Sequence, residues 1–160
     1  MVDMQGTAEE RLKAYAEFEA GALELALAGD LILASEDAKF ADTHAKWALT
    51  PVWGMSQRLP RRVGRTKAME MMLTARTVGA EEAAALELAN QVLPAENFVE
   101  HVHQFCQEML SLSWFTLRAN KRLMQDTDGM GLDAGLAHEI FKSEGRGPDM
   151  AERIGGFGKK

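Results

Sequence analysis

The chain has 160 residues, 46% hydrophobic and 26% charged, enough for one domain to bury a core without a disulfide or metal. Its formal net charge of −6 excludes the basic face that nucleic acid or an anionic membrane would require. The lone Cys106 excludes an internal disulfide, and the sequence carries neither a membrane-length apolar run nor a secretion-signal pattern, so a cytoplasmic protein is expected.

In chain order, Thr7 followed three residues later by Glu10 has the form of a capping box. Leu12, Tyr15, Phe18, Ala22 and Leu25 then recur at helical spacing, with Glu9 and Lys13 as a favourable i,i+4 pair. This predicts one amphipathic helix over 8–28, with Gly21 in its interior and Gly29-Asp30 at its end. Leu31 to Ser35 and Lys39 to Ala41 read as short strands around the turn Glu36-Asp37-Ala38. Pro51, Gly54, Pro60 and Gly64 punctuate the next stretch, which predicts helices over 54–63 and 65–74. A brief strand at 76–78, a helix from Ala80 to about Ala89 and a strand at 91–93 complete the alternating part. After Pro94 only helices follow, near 95–111, 113–126 and 131–143, before a Gly-rich tail.

Strands alternating with helices, then helices alone, indicate an α/β fold with an all-helical C-terminal portion. Three segments result: an atypical N-terminal helical segment over 1–19, an α/β portion over 20–94 and a helical region over 95–160. Cys106, between Phe105 and Gln107 in a helical pattern, is expected to be a buried small hydrophobe, and the ten methionines core filler. His101 and His103 point to different faces of their helix and His138 stands alone, so no metal site is expected. Arg58, Arg61, Arg62, Arg65 and Lys67 form a basic run, read as a solvated surface or a subunit contact ahead of a phosphate site. Trp114-Phe115 and Phe141 are expected to pack the C-terminal helices or an oligomer contact.

Four blocks then acquire meaning together: GALELA at 21–26, SEDAKF at 35–40, QRLP at 57–60 and NQVLP at 90–94. In order and spacing they resemble the crotonase superfamily, the enoyl-CoA hydratases and isomerases, and FKSEGRGPDMAERI resembles that family's closing segment. The resemblance runs from about Ala20 to near the end. It implies the C-terminal portion of a crotonase-like ββα spiral, truncated here, followed by a helical oligomerisation region that builds trimers, often paired as hexamers. It implies an acyl-CoA thioester substrate, no further cofactor, and two backbone N–H groups that hold the thioester oxygen as it gains charge. Such a donor is worth roughly 3–4 kcal/mol of barrier lowering. By position, Gly21 would supply one oxyanion donor and Glu24 one acid–base carboxylate, with Trp53 and Gly54 beside the substrate.

The residues also depart from the family pattern. Nothing in residues 1–19 matches the usual preceding half. If the helix runs unbroken from residue 8, the N–H of Gly21 bonds to Glu17 and is spent. Glu24 then reads either as the acid–base group or as one more solvated charge beside Glu10 and Glu17. The second hydratase glutamate is replaced by His44, which can act as a general base but is not expected to share one water with Glu24 as a carboxylate would. Trp53 and Met55 stand where glycines are usual, as does Glu87, where a left-handed backbone would resist a side chain. Two functions remain: an enoyl-CoA hydratase/isomerase-type enzyme, or a catalytically inactive relative serving as an assembly or binding subunit.

Overall fold

The computed structural model describes residues 22–156. The helical segment expected over 1–19 lies outside the described residues, as does Gly21. From Ala22 the elements run α1 (Ala22–Ala26), β1 (Leu33–Ser35), β2 (Lys39–Phe40), a 3-10 turn (His44–Trp47), α2 (Met55–Val63), α3 (Arg65–Thr74), β3 (Val78–Gly79), α4 (Ala80–Ala85) and β4 (Gln91–Leu93). The helices α5 (Phe98–Leu110), α6 (Trp114–Asp126), α7 (Leu132–Lys142) and α8 (Met150–Gly155) follow. The chain divides into two compact units, with the boundary between Val102 and His103 inside α5.

In the first unit β1 pairs with β4 in parallel, Ala34 opposite Val92, while β2 pairs with β3 antiparallel, Phe40 opposite Val78. A parallel pair requires a long crossover, here the whole stretch from β2 through α4. Asn90 strengthens the first pair: its Oδ1 accepts the Ile32 N–H and its own N–H donates to the Ile32 carbonyl, both at 2.8 Å. Leu23 and Leu27 from α1, Ile32 and Ala34 around β1, Met55 and Leu59 from α2, Met71 from α3, Val78 and Leu88 form one buried cluster. Each large member contributes about 1.5–3 kcal/mol by leaving water. Leu59 sits at the centre of α2 facing inward while Arg58 and Arg61 face out, so the helix packs by an apolar face although Pro60 lies in its interior.

The basic run is largely consumed locally. Arg62 donates to the carbonyls of Gly29 and Asp30 at 2.7 and 3.0 Å, closing the turn after α1. Arg61 donates back to the Gln57 carbonyl at 2.8 Å, and Lys67 pairs with Glu70 at 2.7 Å.

Several local expectations are corrected. The strand expected at 76–78 forms at Val78–Gly79, the two residues that pair with Phe40 and Lys39 of β2, while Arg76 before it forms ion pairs with Glu70 and Glu82, both at 2.6 Å. The helix from Ala80 stops at Ala85, and Glu87 adopts φ +60°, the left-handed conformation its side chain disfavours. The tail contains α8, and Asp149 just before it bonds with Arg153 and Ser113. Cys106 is exposed, because the half-buried stripe of α5 runs through Phe98, His101, Val102, Phe105 and Met109 and leaves Cys106 beside it. Met55 and Met71 are core residues, but Met69, Met124 and Met130 are exposed.

In the second unit Glu144 pairs with Arg118 and Arg122 at 3.0 and 2.7 Å. No described residue of that unit is fully buried, and Trp114 and Phe141 stand largely exposed.

Candidate active site

Glu24 is the third residue of α1 and faces inward, between the buried Leu23 and Leu27. It is 3% exposed, so the reading of Glu24 as a solvated charge is overturned: its turn of α1 packs against the start of α2. Burying a carboxylate is costly unless it is hydrogen-bonded. Glu24 Oε1 accepts the backbone N–H groups of Trp53 and Met55, each at 3.3 Å. These amides converge because Gly54 between them takes φ +99° as the N-cap of α2. The N–H groups at a helix start are free of intrahelical partners and suit a negative charge. Arg58, one turn into α2, reaches back to the Trp53 carbonyl at 2.5 Å and braces the same turn.

Glu24 Oε2 faces His44, whose Nε2 lies 3.6 Å away. His44 begins the 3-10 turn, and its side chain is 12% exposed. Behind it sits Asp42, 2% exposed. Asp42 Oδ1 accepts the His44 backbone N–H at 3.0 Å and lies 2.5 Å from Nδ1 of the same residue. The first of these is an Asx-type turn, a carboxylate gripping the amide two residues on. Among the described residues, no buried side-chain polar atom lacks a hydrogen-bond partner.

The segments that carry His44 and the gripping amides also hold exposed apolar side chains, Trp47, Leu49, Val52 and Trp53. A buried carboxylate and an imidazole thus meet, an arrangement able to move a proton to and from a ligand.

Of the sequence-predicted site residues, Glu24, His44, Trp53 and Gly54 are brought together. Gly21, and with it any oxyanion amide there, lies outside the described residues. Sequence reasoning missed Asp42 and the gripping amides of Trp53 and Met55. Asp42 had a visible signal, a carboxylate two residues before a histidine; the amides had none, since any side chain can carry them.

The chain matches the enoyl-CoA hydratase/isomerase family over residues 16–147. It is 33% identical over 146 residues to the short-chain-enoyl-CoA hydratase of Clostridioides difficile, covering 88% of this chain and 92% of that protein. It is 32% identical over 139 residues to the 2,3-dehydroadipyl-CoA hydratase of Escherichia coli K12, covering 86% and 54%. The chain spans about half the length of several curated relatives it matches. An enoyl-CoA hydratase of Bacillus anthracis shares the fold with a TM-score of 0.81 at 25% identity, over 96% of this chain and 69% of that one. A Thermobifida fusca YX protein described as an enoyl-CoA hydratase, in complex with acetoacetyl-CoA, superposes with a TM-score of 0.72 at 26% identity, over 85% and 51%.

Proposed function

The chain belongs to the enoyl-CoA hydratase/isomerase family, with a crotonase-like α/β fold, and we propose that it acts on acyl-CoA thioesters with Glu24 and His44 as its proton-transfer pair. One observation carries the reading: a buried carboxylate, fixed by two backbone amides, keeps its second oxygen turned toward an imidazole. The acetoacetyl-CoA held by the Thermobifida fusca relative supports the substrate class.

In this reading the water oxygen bonds to the β carbon of an enoyl thioester while one member of the pair takes its proton. The thioester carbonyl becomes an enolate, stabilised by backbone donors, of which Gly21 is the proposed candidate. The pair then returns a proton to the α carbon, so that one water is added across the double bond. Trp53 and Gly54 border the acyl chain, and no group beyond the coenzyme A thioester is required.

Residues 20–94 carry this site, and residues 95–160 are proposed as the assembly region of a homo-oligomer, a trimer in the simplest form. The described residues of the second unit include no buried one, and α7 exposes Leu132, Leu136 and Ile140 at fourfold spacing, 77%, 50% and 81% accessible. Apolar stripes of this kind are ordinarily covered by a partner.

The test is water addition to a four-carbon enoyl-CoA by the purified full chain, beside Glu24→Gln. General acid–base groups contribute about 10²–10⁴-fold, so the variant should lose at least that lower factor in kcat. Turnover unchanged in Glu24→Gln removes Glu24 from the mechanism. Turnover absent from both proteins favours the non-catalytic assembly subunit.

A further inference from the structure

Replacing a carboxylate with a histidine poses a chemical problem. A carboxylate only accepts hydrogen bonds, whereas each imidazole nitrogen is a donor or an acceptor according to where the proton sits. If His44 carried its proton on Nε2, it would point a donor at Glu24 Oε2 and engage it directly, leaving that oxygen less able to take up a water. The spacing does not fit that arrangement: Nε2 and Oε2 are 3.6 Å apart, beyond a direct hydrogen bond.

Asp42 resolves the problem. Its Oδ1 already accepts the His44 backbone N–H at 3.0 Å, which holds the carboxylate in register with the ring, and it stands 2.5 Å from Nδ1. An ionised carboxylate can only accept there, so the ring proton belongs on Nδ1. We propose that Asp42 is a positioning residue: it holds the neutral His44 ring with its proton on Nδ1, so that Nε2 and Glu24 Oε2 form a pair of acceptors that grip both hydrogens of one water. A water oxygen about 2.8 Å from each fits between acceptors at this separation. The imidazole thereby does the work of a second carboxylate, which reverses the expectation that His44 cannot share a water with Glu24. The inference rests on the acid–base reading above but concerns the state of one ring, which is observable without turnover.

The experiment is nitrogen-15 NMR of the histidine side chains in the full chain, at a pH where the rings are neutral, with His44 assigned by the signals lost in His44→Gln. The wild type should show Nδ1 protonated and Nε2 bare. Asp42→Ala should abolish that preference, while Asp42→Asn, whose carbonyl can accept the same two N–H groups, should restore it. Steady-state hydration gives the matching readout: Asp42→Ala lowers kcat roughly 10- to 1,000-fold with KM within about threefold, and Asp42→Asn recovers part of the loss. A wild-type ring protonated on Nε2 overturns the proposal whatever the activity, and needs no variant to fold. A ring protonated on Nδ1 in a chain that adds no water upholds the positioning and removes the proposed function instead.

Discussion

Gly54 is where backbone conformation and chemistry meet most tightly, so Gly54→Ala tests whether the Glu24 cradle is built as described. The residue has φ +99°, and a Cβ placed there would lie 2.9 Å from Arg58 Nη1. The Arg58 contact is with the end of a flexible side chain and can move, although moving it releases the brace on the Trp53 carbonyl. The backbone strain cannot be relieved that way. A left-handed conformation costs a residue with a side chain about 1–2 kcal/mol. If the turn relaxes instead, Glu24 loses alignment with at least one amide, and a hydrogen bond to a charged group is worth about 1.5–3 kcal/mol. Either path destabilises the fold by about 1–3 kcal/mol, which for a chain of this size lowers Tm by roughly 2–12 °C. Gly64→Ala is the control. Gly64 also has positive φ, +78°, but nothing lies within 4 Å of its added Cβ and it touches no site residue. Thermal unfolding and enoyl-CoA hydration are measured on both variants. Both should lose stability, whereas only Gly54→Ala should lose turnover, by tenfold or more. A Gly54→Ala protein with wild-type Tm and rate would refute the idea that this turn holds Glu24.

Two other outcomes are expected. The pair of Lys67 and Arg76 with Glu70, and of Arg76 with Glu82, holds both carboxyl groups below their usual range: for Glu70 the Lys67 bond acts first and then Arg76, for Glu82 the Arg76 bond. A depressed carboxylate stabilises the fold above its unfolded value, and that contribution disappears as pH falls through the lower folded value. Stability should therefore drop as pH is taken below about 4.5, and Arg76→Leu should flatten that acid limb in urea titrations by lowering stability at neutral pH while leaving the most acidic points little changed. For assembly, the full chain should sediment above monomer mass, and Leu136→Asp on the exposed stripe of α7 should shift it toward monomer; a monomeric wild type would count against the oligomer.

How far the chain could be read from its sequence depended on the range of the interactions involved. The helices α2 and α3 were legible because Gly54 and Gly64 mark their starts and Met55, Leu59, Ala68 and Met71 repeat at helical spacing. The pairing of β1 with β4 was not, since Leu33 meets Gln91 across a crossover that no local pattern announces. Nor was the end of α4: alanines favour continuing, but Leu86 closes the helix and Glu87 turns left-handed so that Leu88 can enter the core. Cys106 misled for a related reason, because a helical pattern shows a periodicity but not how wide the covered face will be.

The site divides along the same line. Glu24 and His44 are 20 positions apart in sequence, and a family pattern could nominate each one. Only the fold shows that α1 delivers Glu24 to the open end of α2, where two amides take one oxygen and leave the other for His44. That arrangement also explains why Trp53 and Met55 are tolerated where glycines are usual. Their contribution to Glu24 is made by backbone N–H groups, which are indifferent to the side chain, while the one conformational demand falls on Gly54, which remains glycine. Substitution around the site is therefore constrained at the φ-positive position and at the carboxylate–imidazole pair, and comparatively free at the rim. The exposed side chains of Trp47, Val52 and Trp53 take no part in holding Glu24 and can change without disturbing it.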